Sequence, residues 1–141
     1  MEGIEMEKLN LRVKSNKISI CVNDNGDTIT FNPDDQSTID KFKRLTDLRE
    51  KKPFKDSDND EVIYEKVVQY CEKLSRAIDD IFGDGAVQKI FGSHRPTIDL
   101  IADFICQLEP FISKTMENKV KSIEELHEKY QKRSNRREIT R

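Results

Sequence analysis

Residues able to do chemistry are few in this chain, and their spacing argues against most uses. Asp56-Ser57-Asp58-Asn59-Asp60 has the D-x-D-x-D opening of a calcium loop, but Glu61 stands where the sharp turn needs Gly and Val67 where a bidentate Glu should close the site. Gly83-Asp84-Gly85-Ala86-Val87-Gln88 carries the first two glycines of a dinucleotide fingerprint. The third is Gln88, and the segment follows a helical pattern instead of a strand, so a phosphate cradle is not supported. His127-Glu128 begins like a zinc-protease helix, yet its second histidine is replaced by Gln131. The other histidine, His94, sits in a loop beside Arg95, with no Ser/His/Asp context and no nucleophile elbow. Cys21, Cys71 and Cys106 are odd in number and far apart, which argues against a disulfide framework or a zinc knuckle. All three fall at apolar positions and are expected in the core as reduced, small hydrophobes. These residues point to no catalysis, no cofactor and no metal.

The elements that would position any function are clearer. The 141 residues suit one domain, and 37% charged against 35% apolar points to exposed helices or ends. The charge is uneven. Lys129, Lys132, Arg133, Arg136, Arg137 and Arg141 oppose Glu138 alone, so the tail is about +5 within a chain of net charge -2. Residues 1–16 read as a poorly ordered start or an edge strand. The start, with Glu2, Glu5 and Glu7, has neither a basic n-region nor an apolar h-region, and this with the lack of any long apolar run predicts a soluble cytosolic protein without a membrane segment.

From Lys17, Ile18, Ile20 and Val22 alternate with polar residues, Asn23 to Asp27 supply turn chemistry, and Ile29 and Phe31 resume the alternation, which predicts a β-hairpin. A helix should start within Asn32 to Thr38, carry Ile39, Phe42, Leu45 and Leu48 inward, and end before Pro53. The strongest pattern runs from Asp60 or Glu61 to Phe82, about 33 Å of amphipathic helix. Gly83 suits its end, Asp84 is expected to cap a short helix ending at Gly92, and Phe82 and Phe91 should plug one core. Ile98 to Leu108 form the most apolar helix, expected to be interrupted by a kink or break at Pro110.

The reading is therefore mainly α with a small N-terminal β-hairpin (α+β): a hairpin plus helical core over residues 17–109, bundle-like, and an extended charged C-terminal helix with a basic tail over 110–141. Ile112, Met116, Val120, Ile123, Leu126 and Tyr130 form a narrow apolar stripe on that last helix, suited to a partner, to self-association or to a plain surface helix. The basic tail could touch phosphate backbones, but Glu124, Glu125 and Glu128 oppose it and no aromatic platform accompanies it, so nucleic acid is not expected.

The order of parts resembles the small tail assembly chaperones of long-tailed phages and prophages of Gram-positive bacteria. The resemblance rests on Phe31-Asn32-Pro33 after the hairpin, on Asp79-Asp80-Ile81-Phe82-Gly83-Asp84-Gly85-Ala86 with Lys89-Ile90-Phe91-Gly92, and on Tyr130 followed by Asn135-Arg136-Arg137. Phe82, Gly83, Gly85, Phe91 and Gly92 would be its structural motif. It implies a non-enzymatic factor that binds the tape measure protein, helps recruit tail tube protein in the host cytoplasm, and is absent from the mature virion. Partner contact would fall on the stripe and on Lys132, Arg133, Arg136 and Arg137. The rival expectations are a small nucleic-acid-binding regulator using the basic tail and a structural head or tail component.

Overall fold

The computed structural model describes the backbone of residues 7–139 and the side chains of residues 7–133. It is mainly helical, with a two-stranded antiparallel hairpin ahead of four helices. Strands β1 (Ile18–Cys21) and β2 (Thr28–Phe31) pair with Ile18 opposite Phe31 and Ile20 opposite Ile29. The turn is held by Asn23, whose Oδ1 accepts from the backbone N–H of Asn25 and Asp27. Its Nδ2 donates to the Lys89 carbonyl at 3.0 Å, fastening the hairpin tip to a distant helix. Residues 7–17 form no strand, and Leu9, Leu11 and Val13 are bare, so the expected edge strand is not formed.

Asp35 caps α1 (Gln36–Glu50) by accepting from the Ser37 N–H at 3.0 Å. Asn59 caps α2 (Asp60–Phe82) in the same way through the Val62 N–H at 2.9 Å. The acidic linker between them is tied rather than loose: Asp58 accepts from the Lys55 N–H and pairs with Lys66 at 2.7 Å, and that pairing holds its carboxyl below the usual carboxylate range. Helix α1 lies along α2, and Tyr70 of α2 donates its hydroxyl to the Leu48 carbonyl at 2.8 Å. Burial pushes the Tyr70 phenol up, as expected for a ring between two helices.

Gly83 ends α2 at φ 100° and ψ 162°, a backbone essentially reserved for glycine. The short helix α3 (Ala86–Phe91) starts from Gly85 in the left-handed region, with no side-chain cap from Asp84. That expectation is corrected. The cap comes from Asp79, one turn back in α2, whose Oδ1 accepts from the Val87 N–H at 3.0 Å while its carbonyl accepts from Gly83. One aspartate thus closes both sides of the corner.

Helix α4 (Ile98–Ile139) runs on through Pro110, so of the kink or break expected there the break is not observed, and Ile112 beyond it still packs against the core. Proline deprives the carbonyl four residues back of its donor, but Pro110 and Cys106 both face solvent, where water can satisfy that carbonyl. On the opposite side Ile101, Ile105 and Leu108 are buried against Leu74, Ile78 and Ile81 of α2, Phe31 of β2 and Phe42 and Leu45 of α1. Among the described residues these side chains form one core. Both aromatic plugs reach it: Phe82 lies edge-on to Phe31, Phe42 and Phe104, and Phe91 edge-on to Phe104. Of the three cysteines only Cys71 packs against the core, half-buried, with its thiol pushed up by that burial; Cys21 and Cys106 are exposed, which corrects the expectation for those two.

Candidate partner-binding surface

Helix α4 leaves the body while keeping its apolar face. Successive residues turn by 100°, so Ile101, Ile105, Leu108, Ile112, Ile123, Leu126 and Tyr130 all lie within about 40° of one line, with Met116 at its edge and Val120 further round. The first three are buried and Ile112 is half-buried against the core. Beyond them the same line is bare at Ile123, Leu126 and Tyr130, which are 67%, 56% and 64% exposed, and Met116 and Val120 beside it are 46% and 53% exposed. The predicted stripe therefore divides at Ile112, which belongs to the body, and the five residues after it form the arm's open face.

The last contact between arm and body is electrostatic. Lys119 pairs with Asp34, just after β2, and Asn16 also donates to that carboxylate at 3.1 Å. Lys119 holds the Asp34 carboxyl below its ordinary value, with the Asn16 hydrogen bond adding to the effect. Nearer the body, the Arg49 guanidinium of α1 sits 2.7 Å from Glu109 of α4, an ion pair without an aligned hydrogen bond. From Val120 to Arg133 every residue is exposed. Lys132 and Arg133 lie there beside Leu126 and Tyr130, whereas the side chains of Arg136 and Arg137 lie outside the described residues.

Two concavities on the body were not legible from spacing. A cleft of about 730 Å³ lies between α2, α3 and the 93–98 loop, lined by Val67, Val68, Cys71, Val87, Pro96 and Ile98 with Arg76, His94 and Arg95 on its polar side. Its polar groups do not converge as an acid–base set: Asp79 is occupied by the Val87 N–H, and Arg95 sits 3.8 Å from Glu72. A second groove of about 330 Å³ runs between β1 and α4, floored by Phe91, Phe104 and Leu108 and flanked by Leu100 and Phe111, which are 49% and 48% exposed. Leu100 and Phe111 could have been found from the sequence only by noticing that they fall off the buried line of α4.

Among the described residues no three His, Cys, Asp or Glu side chains are grouped to hold a metal ion, and no helix is long and apolar enough to cross a membrane. Neither the curated proteins nor the solved structures contain a match to the chain. Residues 25–140 match the model of a family of unknown function, DUF6673, a span from the hairpin turn through α4. The chain, matched over most of its length, belongs to that family.

Proposed function

We propose that this protein is a non-enzymatic tail assembly chaperone whose C-terminal arm binds helical segments of a tape measure protein and helps bring tail tube subunits to it. It would act in the host cytoplasm and stay out of the mature virion. One observation carries the binding role: the face that α4 buries against the body continues, bare, along Ile123, Leu126 and Tyr130, with Met116 and Val120 exposed beside it. A helix offering such a face can receive the apolar side of a client helix, which supplies the packing that α2 supplies nearer the body. The identity of the client rests on the resemblance in order of parts, the doubled Ile-Phe-Gly above all.

Ile123 and Leu126 make no contribution to the buried core, so Ile123→Asp with Leu126→Asp is expected to leave the melting curve unchanged. The same pair of changes removes two apolar anchors, each worth roughly 1.5–3 kcal/mol when covered, and client affinity should fall by more than about a hundredfold. The measurement is retention and solubility of the co-expressed tape measure protein. Undiminished retention by the double variant sinks the proposal.

A further inference from the structure

The N-terminal segment and the groove beside β1 each leave apolar groups uncovered. In an antiparallel pair the residues alternate between exchanging backbone hydrogen bonds with the partner strand and turning those groups outward. The Val22 N–H donates to the Asp27 carbonyl, which sets Ile20 and Ile18 as the bonded residues and turns the N–H and C=O of Ser19 and Cys21 toward the free edge. That edge borders the groove floored by Phe91, Phe104 and Leu108. An open strand edge beside an apolar trough is the geometry that accepts an added strand.

Residues 8–14 have the matching pattern. Leu9, Leu11 and Val13 alternate with Lys8, Asn10, Arg12 and Lys14, the signature of a strand with one apolar face, yet the three apolar side chains are 83%, 93% and 96% exposed. The segment enters β1 with no turn or bend between residues 7 and 17, so it runs away from its own groove instead of folding back along it. We infer that the occupant is a second copy of the chain: residues 8–14 of each copy add as a strand to the β1 edge of the other. With Leu11 opposite Ile20 of the other copy, Leu9 meets Val22 and Val13 meets Ile18, so all apolar side chains share the core face. Arg12 and Asn10 then bond to the outward backbone groups of Ser19 and Cys21. The two copies are related by a two-fold axis between Ser15 and Asn16, and the hairpins join into one four-stranded sheet. Lys14 faces Lys17 of the other copy on the solvent side, a repulsion that salt screens.

The register places Asn10 across from the exposed native Cys21. In full-length protein with Cys106→Ser to remove the other exposed thiol, Asn10→Cys should oxidise to a covalent dimer, and Cys21→Ser in that background should abolish it. Sedimentation of the unmodified protein at about 0.3 M salt should show a concentration-dependent dimer. Leu11→Asp should weaken it at least about a hundredfold with the circular dichroism spectrum unchanged, since each copy loses one buried leucine. A monomer carrying an internal disulfide would overturn the inference in favour of a strand returning within one chain. A wild-type protein that stays monomeric at about 100 µM, or a dimer indifferent to Leu11→Asp, would overturn it too. The arm residues tested for client binding lie outside this interface, so the two proposals fail separately.

Discussion

Replacing Phe82 by leucine should cost clearly more than the same change at Phe91, although both close an Ile-Phe-Gly sequence. The Phe82 ring stands edge-on to three others, with centroids 5.9 Å from Phe31, 6.0 Å from Phe42 and 6.2 Å from Phe104. Phe91 makes one such contact, 5.6 Å from Phe104. Leucine keeps most of the apolar burial, so what is lost is the edge-to-face term, about 0.5–1.5 kcal/mol per pair. Three independent pairs would give about 1.5–4.5 kcal/mol by that measure, but they share one ring and Phe31–Phe42 survives at 5.2 Å. A loss of about 2 kcal/mol at Phe82 and about 1 kcal/mol or less at Phe91 follows. Against a total of about 5–15 kcal/mol the first is a large fraction. Urea unfolding followed by far-UV circular dichroism reads both, and the slope against denaturant should not change. Equal losses at the two positions, or a greater loss at Phe91, would refute the reasoning that Phe82 is the hub of the core and Phe91 its rim.

Two further predictions concern single groups. Cys21 and Cys106 are exposed and Cys71 is half-buried with a raised thiol pKa, so a thiol reagent near neutral pH should label two cysteines quickly and the third slowly; three equal rates would contradict the placement. The Asp34 carboxyl is held below its ordinary value of 3.8 by Lys119. A carboxylate whose folded pKa is depressed favours the folded state above its unfolded value and loses that effect as pH falls through the folded one. The tie between arm and body should therefore hold at neutral pH and release only below about pH 3.8. An NMR titration of Asp34 should show a midpoint below 3.8 that rises in Lys119→Ala, and an unchanged midpoint would dispose of the tie.

The hairpin, α1, α2 and the glycine-bounded corner were legible because local and tertiary preferences agree there: alternation, caps and turn residues all ask for the structure that forms. The break expected as one outcome at Pro110 does not form because the rest of the helix outweighs proline's local cost. The apolar line from Ile101 to Ile112 needs one continuous helix to stay buried, and the lost hydrogen bond falls on the solvent side. Asp79 was missed as the cap of α3 because it lies outside the capping position and reaches it only through the turn at Gly83. Cys21 and Cys106 were misplaced for a related reason. Cys21 alternates with Ile18 and Ile20, so period two assigns it to the outer face. Cys106 stands next to buried Ile105 but a helical step of 100° away from its line. The stripe after Pro110 was visible as a pattern, but its division at Ile112 depends on where α2 and the hairpin end, which no local spacing encodes.

The arm's composition bears on how a bare apolar face is tolerated. Large contiguous apolar patches on a lone chain invite indiscriminate association. Between Met116 and Tyr130 the five open apolar residues are interspersed with Glu117, Lys119, Lys121, Glu124, Glu125, Glu128 and Lys129, so the face is bordered by both signs of charge and Lys119 stands on its line. A partner must be long, helical and register-matched to cover it, since a short or globular apolar surface would strand those charges against protein. Such a face discriminates by shape and length more than by total apolar area. The same logic separates the two open surfaces of the molecule: the arm suits a helix, whereas the β1 edge, with outward N–H and C=O groups, suits a strand. A helical client has no free backbone groups to offer the β1 edge, and an extended segment cannot satisfy its own backbone against the arm. Client binding and self-association can therefore proceed on one chain without competing.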